Sequence, residues 1–172
     1  EAGNRATFFL IGTFMAVWII LYGVVQANTP KLLRAANRSE GALIADARKW
    51  AFVLCAVPVT LTVAAVLSPE PQTWLTVTLV IGLLVFGALF AVNSALHSYL
   101  ILAFTQSERV TMDVGFYYMA NAGGRLLGTV LSGLSYQIGG LPLVLGTASA
   151  MVALAALASG RLRVEAGVKT VA

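Results

Sequence analysis

The sequence predicts an all-α membrane protein with five transmembrane helices, and three observations support this fold class. First, 59% of the 172 residues are hydrophobic and only 10% are charged, whereas soluble domains hold about 45–50% apolar and about 25% charged residues. Second, uncharged apolar runs of membrane-spanning length recur along the chain. Third, the basic residues gather on one side when successive helices alternate in direction.

The apolar runs define the helices in chain order. The predicted spans are 6–27, 50–67, 74–104, 114–138 and 141–160. A polar, basic connection at 28–49 separates the first two helices, and within it Thr29 and Pro30 resemble the N-cap and first turn of a helix. Pro58 predicts a kink inside the second span. The tail at 161–172 is polar.

The third span is long, because residues 71–107 contain no Asp, Glu, Lys or Arg. Counting it as one tilted helix puts nearly all basic residues on one side of the membrane. That side holds Lys31, Arg34, Arg38, Arg48, Lys49, Arg109, Arg161, Arg163 and Lys169. Arg5 lies opposite. The positive-inside rule therefore predicts an outside amino terminus and a cytoplasmic carboxyl terminus in a multi-pass protein of the cell (inner) membrane.

The chain is expected to be part of a longer one. It begins with Glu1, its first apolar run is too long for a signal-peptide core, and five is an odd number of helices for a carrier bundle. We therefore expect further helices, which would supply part of any binding site.

Arg125 is the most informative residue, because it is the only charged residue within the predicted spans. At 100° per residue it shares a polar stripe with Tyr118, Asn121, Thr129, Ser132 and Tyr136. A neighbouring stripe of Ala120, Gly124 and Gly128 would admit another helix closely. A guanidinium at mid-depth points to anion binding or gating in a transporter. The alternative is an arginine that snorkels or only joins two helices.

The span at 74–104 places Asn93 and His97 on one face, where they are candidates for contacting a ligand. His97 is the only histidine. A role in proton transfer or ligand binding and a purely structural hydrogen bond explain it about equally well. Tyr22 and Gln26, near the cytoplasmic end of the first helix, are candidates for an entrance or gate, with interfacial anchoring as the alternative. The spans at 50–67 and 141–160 carry no charge and are predicted to face lipid.

Several classes of function lack their motifs. The sequence has no phosphate-cradling GxxxxGK[ST] loop, no HExxH, and no convincing nucleophile and base. The single cysteine, Cys55, is too little for a metal site. The basic residues of the connection at 28–49 are better explained by membrane orientation and contact with lipid headgroups than by nucleic-acid binding. We therefore predict neither an enzyme nor a nucleic-acid-binding protein, and no metal or cofactor.

Three segments carry a resemblance to a known family. Residues 113–133 read DVGFYYMANAGGRLLGTVLSG, residues 93–100 read NSALHSYL, and YGVVQA at 22–27 is followed by PKLL at 30–33. The first resembles a helix of the major facilitator superfamily, and together they resemble the organoarsenical efflux permeases (ArsJ-type) of arsenic-resistance operons. The likeness is thin over the spans at 50–67 and 141–160.

The resemblance implies twelve helices in two halves, of which these five would be the eighth to twelfth, with the amino-terminal half outside this sequence. It implies efflux of 1-arseno-3-phosphoglycerate, made by a partner glyceraldehyde-3-phosphate dehydrogenase, and hence arsenate resistance. Arg125, Asn121, Tyr118, His97 and Asn93 would then offer donors to the ligand's phosphate and arsenate oxygens. The alternatives are a carrier of the same superfamily for another organic anion or drug, and a membrane scaffold subunit that transports nothing.

Overall fold

A computed structural model of the chain describes residues 2–33, 37, 39–68, 70–105 and 109–161. It contains α1 (Ala2–Leu32), α2 (Glu40–Leu67), α3 (Thr73–Phe104) and α4 (Val110–Ser159). All four helices are long and apolar enough to cross a membrane, and no strand occurs in these ranges. The prediction of an all-α chain with helices of membrane-spanning length is confirmed for the described residues.

The helix α4 folds back on itself at two glycines. Gly139 (φ −143°, ψ 18°) and Gly140 (φ 61°, ψ −155°) leave the helical region. The hydroxyls of Ser135 and Thr147 lie 2.9 Å apart across this break, whereas twelve residues would span about 18 Å in a continuous helix. The chain therefore reverses, and α4 consists of a first arm (110–138) and a second arm (141–159). The two arms cover the predicted spans at 114–138 and 141–160, so the described residues form four helices where five were predicted, and five membrane crossings stay a prediction.

The boundary between α1 and α2 differs from the prediction. The two helices occupy most of the polar connection predicted at 28–49. Thr29 and Pro30 do not start a helix but lie at the end of α1, where the Thr29 hydroxyl donates to the Val25 carbonyl at 2.7 Å. Charged residues mark where a chain leaves the bilayer, and a helix is free to continue beyond that point. Apart from Arg161, the predicted tail at 161–172 lies outside the described residues.

The helix α2 is the centre of the structure, because it packs along both α3 and α4. Its buried apolar residues are Leu43, Ile44, Ala47, Ala51, Leu54, Leu61 and Ala65. The uncharged span at 50–67 packs through one face only, because Phe52, Val59 and Val63 are exposed, and the prediction that this span faces lipid stays a prediction. The alanines among the buried residues let helix backbones approach closely without any charge in the sequence to mark the contact.

The second arm of α4 also packs on α2 through one face, while Leu154 and Leu157 are exposed, so the lipid-facing prediction for the span at 141–160 stays a prediction. The hydroxyls of Thr62 on α2 and Ser149 on the arm lie 3.0 Å apart. Arg48 Nε donates to the Ser159 carbonyl at 3.3 Å. A cation near the carboxyl end of a helix interacts favourably with its dipole, so Arg48 joins the start of α2 to the end of α4.

The helix α1 lies against α3 and touches little else among the described residues. The Trp18 indole Nε1 donates to the Leu83 carbonyl at 2.8 Å. The first arm of α4 makes only slight contact with α3, chiefly where the hydroxyls of Ser98 and Tyr117 lie 3.3 Å apart. This loose contact leaves a space between α1, α3 and the first arm.

Candidate anion-binding cleft

The space between α1, α3 and the first arm is an open cleft of about 500 Å³. Its lining is mixed, with three aromatic rings, small residues, two neutral polar groups and one cation. The lining residues are Tyr22, Phe90, Ser94, Tyr117, Ala120, Asn121, Gly124 and Arg125. A concave, partly apolar space with a few convergent polar groups is the usual form of a small-molecule site.

Arg125 supplies the only charge of this lining. Its side chain is exposed in the isolated chain, and no hydrogen bond or ion pair joins the guanidinium to another residue in the described ranges. A permanently charged group within a membrane-spanning helix is stable only with a polar or charged partner. The cleft therefore holds a positive charge that the described residues leave uncompensated.

Two other predicted residues of the first arm differ in position. Asn121 lines the cleft beside Arg125, and its Nδ2 donates to the Tyr117 carbonyl one turn earlier at 3.1 Å. Its side-chain oxygen and second N–H remain available to a ligand. Tyr118 is 66% exposed and does not line the cleft, so it lies on the side of the arm turned away from α3.

Asn93 and His97 lie on α3, yet neither lines the cleft. His97 Nδ1 is 2.8 Å from the Asn93 carbonyl. A carbonyl only accepts, so Nδ1 carries a hydrogen in this contact. The Asn93 side-chain oxygen is buried and has no hydrogen-bond partner among the described residues. These groups stand next to the cleft lining rather than in it.

Tyr22 and Gln26, the predicted entrance residues, are both at the cleft. The Tyr22 ring forms part of the lining. Gln26 Nε2 donates to the Ser94 hydroxyl at 3.4 Å, a long bond that links α1 to α3 at the edge of the lining. Tyr22 therefore belongs to the α1 wall of the cleft, and Gln26 lies beside it without lining it.

The sequence patterns do not single out Tyr117, Ser94 or Phe90 as site residues. The polar stripe through Arg125 contains Tyr118 and not Tyr117, its neighbour in sequence. The signal that finds Tyr117 is the small-residue stripe, because Tyr117 and Gly124 are two turns apart on the face that turns towards α3.

Metal ligands do not converge in the described part of the chain. No group of three or more His, Cys, Asp or Glu side chains is placed to hold an ion there. Cys55 is a half-buried free thiol in α2, away from the cleft lining. Comparisons with protein-family models, with curated proteins and with solved structures find no match to the chain.

Proposed function

We propose that the chain forms part of a membrane carrier that binds an organic anion in the cleft between α1, α3 and the first arm. One observation carries this proposal: Arg125 lines an open cleft, and the described residues give it no counter-charge. Charge-assisted hydrogen bonds from a guanidinium fit phosphate, arsenate and carboxylate groups. An anionic solute would therefore supply the missing charge.

The proposed topology has five membrane crossings, with each arm of α4 as one crossing and the carboxyl terminus cytoplasmic in the inner membrane. Two observations support it. The break at Gly139 and Gly140 reverses the chain without a polar loop. The bond from Arg48 to the Ser159 carbonyl puts the start of α2 and the end of α4 at the same end of the structure. That end is also basic, as the positive-inside rule requires of a cytoplasmic face.

The resemblance to organoarsenical permeases gives the first candidate for the anion, 1-arseno-3-phosphoglycerate. On this proposal a glyceraldehyde-3-phosphate dehydrogenase makes the compound, and the carrier exports it and so confers arsenate resistance. Arg125 would hold one anionic group, and Asn121 would contribute a neutral donor. Another organic anion or a drug is the second candidate, and the aromatic surface in the cleft favours it.

Transport would proceed by alternating access, as in carriers of the major facilitator superfamily. The cleft around Arg125 is open on one side, and the polar stripe of the first arm is exposed in the isolated chain. We propose that the amino-terminal half implied by the resemblance covers this stripe. Rocking of the two halves would then expose the anion to one side of the membrane at a time.

A scaffold subunit that transports nothing is the competing proposal. It requires Arg125 and His97 to lie in dry contacts with neighbouring helices. His97 is half-buried, and its Nδ1 is bonded to its own helix, in keeping with a structural role. Arg125 borders open space instead, and this favours a carrier.

Arsenate survival tests the proposal directly. Sensitive cells expressing the full gene together with the dehydrogenase should grow at arsenate concentrations that stop control cells. Arg125→Ala should abolish this protection at equal membrane abundance. The matched control is Arg109→Ala, which removes an exposed arginine at the start of α4 outside the cleft and should preserve protection. Full protection by Arg125→Ala would contradict the proposed role.

A further inference from the structure

Four aromatic rings, two on α1 and two on α3, form a continuous column at the cleft. Trp18 stacks on Tyr22 with ring centroids 5.8 Å apart, and Tyr22 meets Phe90 at 5.7 Å. Phe90 in turn stacks on Phe86 at 5.9 Å. Tyr22 and Phe90 line the cleft, whereas Trp18 and Phe86, each one turn earlier on the same helix, do not.

This column is held in place before any ligand arrives. The bond from Trp18 Nε1 to the Leu83 carbonyl fixes the indole against α3. Gly87 lies directly under it, where a Cβ atom would come within 2.6 Å of the indole nitrogen. The Phe90 side chain nevertheless stays 40% exposed. A rigid aromatic surface that remains uncovered binds a ring with little ordering cost.

The opposite wall, formed by the first arm of α4, has open space and one charged side chain. A Cβ atom added at Gly124 would meet nothing within 4 Å, and Ala120 precedes it by one turn. Arg125 follows directly and brings the cation to the edge of this small-residue wall. The cleft thus sets an uncovered aromatic surface opposite an open, backbone-lined surface, with a single permanent charge beside them.

From this arrangement we infer that the cleft selects anions that combine one anionic group with a planar aromatic ring. The ring would lie against Phe90 and Tyr22, and the anionic group would pair with Arg125. This inference rests on the proposed carrier function and narrows its substrate class. It favours the second candidate, since 1-arseno-3-phosphoglycerate has two anionic groups and no ring.

Calorimetric binding to the purified protein in phosphatidylcholine nanodiscs tests the inference, with empty nanodiscs as the blank. The ligands are benzoate, cyclohexanecarboxylate and inorganic phosphate. Benzoate should bind roughly 2- to 10-fold more tightly than cyclohexanecarboxylate, which is the increment expected of an aromatic pair. Because cyclohexanecarboxylate is the more apolar of the two, general hydrophobicity would give the opposite order. Phosphate should bind most weakly.

Three variants test whether the Phe90 ring produces the preference for benzoate. Phe90→Leu keeps apolar bulk but removes the ring, so it should abolish the preference for benzoate and change cyclohexanecarboxylate binding by less than about 2-fold. Phe86→Leu is the matched control, because Phe86 belongs to the same column but does not line the cleft, and it should keep the preference. Phe90→Tyr retains a ring at the cleft and should also keep it, which guards against a folding defect in the leucine variant.

The outcomes separate this inference from the proposed function. Arg125→Gln should weaken binding of every anion. If benzoate and cyclohexanecarboxylate bind equally, and both depend on Arg125, the aromatic selection is overturned while the anion carrier stands. If Arg125→Gln leaves binding of all anions unchanged, the proposed function is overturned as well.

Discussion

The two arms of α4 have opposite environments although they belong to one 50-residue helical element. The second arm packs on α2, with Ala156 almost fully buried and Ser149 bonded across to Thr62. The first arm is exposed at every residue from 118 to 130 in the isolated chain. The polar residues and the open glycines are concentrated on the exposed arm, and the second arm has no charge.

The two arms also differ in how their polar side chains are satisfied. Polar side chains are expensive in a membrane helix, and the hydroxyls of the second arm bond within the arm, to Thr62 of α2 or to Ser135 at the end of the first arm. The first arm keeps a charge that nothing described in the chain satisfies. On the proposed function, the second arm stabilises the bundle and the first arm contributes the anion-binding residues.

The largest expected effect comes from neutralising the first arm. Arg125→Leu should weaken anion binding by roughly 10- to 100-fold, the loss expected for a hydrogen bond to a charged group. The same change should stabilise the protein in a membrane, by as much as about 3 kcal/mol, because it removes an unpaired charge from a helix centre. Binding calorimetry and detergent-induced unfolding measure the two quantities. Loss of stability would show that Arg125 has a structural partner.

The next largest effect is expected at the turn between the two arms of α4. Gly140 has φ 61° and ψ −155°, a conformation open essentially to glycine alone. Gly140→Ala should therefore destabilise the protein by roughly 1–3 kcal/mol. Gly133→Ala, on the first arm where a Cβ atom meets nothing, is the matched control and should not destabilise. Equal stability of both variants would contradict a fixed reversal at this position.

Filling one glycine on each arm separates packing from binding. Gly146 faces α2, and a Cβ atom there would already lie 3.8 Å from the Thr62 methyl group. Gly146→Leu should overpack this contact and cost about 1–3 kcal/mol in unfolding free energy. Gly124→Leu should leave stability nearly unchanged but fill the cleft and weaken anion binding. If Gly124→Leu destabilised as much as Gly146→Leu, the first arm would be packed after all.

The smallest effect concerns the hydroxyl pair between α2 and the second arm. Thr62 and Ser149 each donate back to their own helix at 2.7 and 2.8 Å, and each hydroxyl has only one hydrogen. The bond between them therefore competes with these back-bonds. A double-mutant cycle with Thr62→Val and Ser149→Ala should give a coupling of about 0.6 kcal/mol, as is typical of membrane helices. Thr129→Val on the first arm should change stability by less.

The helices and one wall of the cleft were predictable from the sequence, because both follow from local patterns. Apolar runs locate the helices. The charge of Arg125 within an apolar span marks it as a site residue, and helical periodicity adds Asn121 on the same face. The packing of α2 was not predictable in this way, since its contacts use alanines and threonines that carry no charge signal. Likewise, helical periodicity puts His97 on a face of α3 but does not say which neighbour approaches that face.

The turn at Gly139 and Gly140 has a consequence for biosynthesis on the proposed topology. Two membrane segments joined by so short a connection must enter the bilayer together as one hairpin. An arginine at the centre of a helix opposes insertion by roughly 2.5–3.5 kcal/mol. The uncharged segment that follows, residues 141–159, would offset this cost during synthesis. The second arm would thus help to bring the first arm, with Arg125, into the membrane.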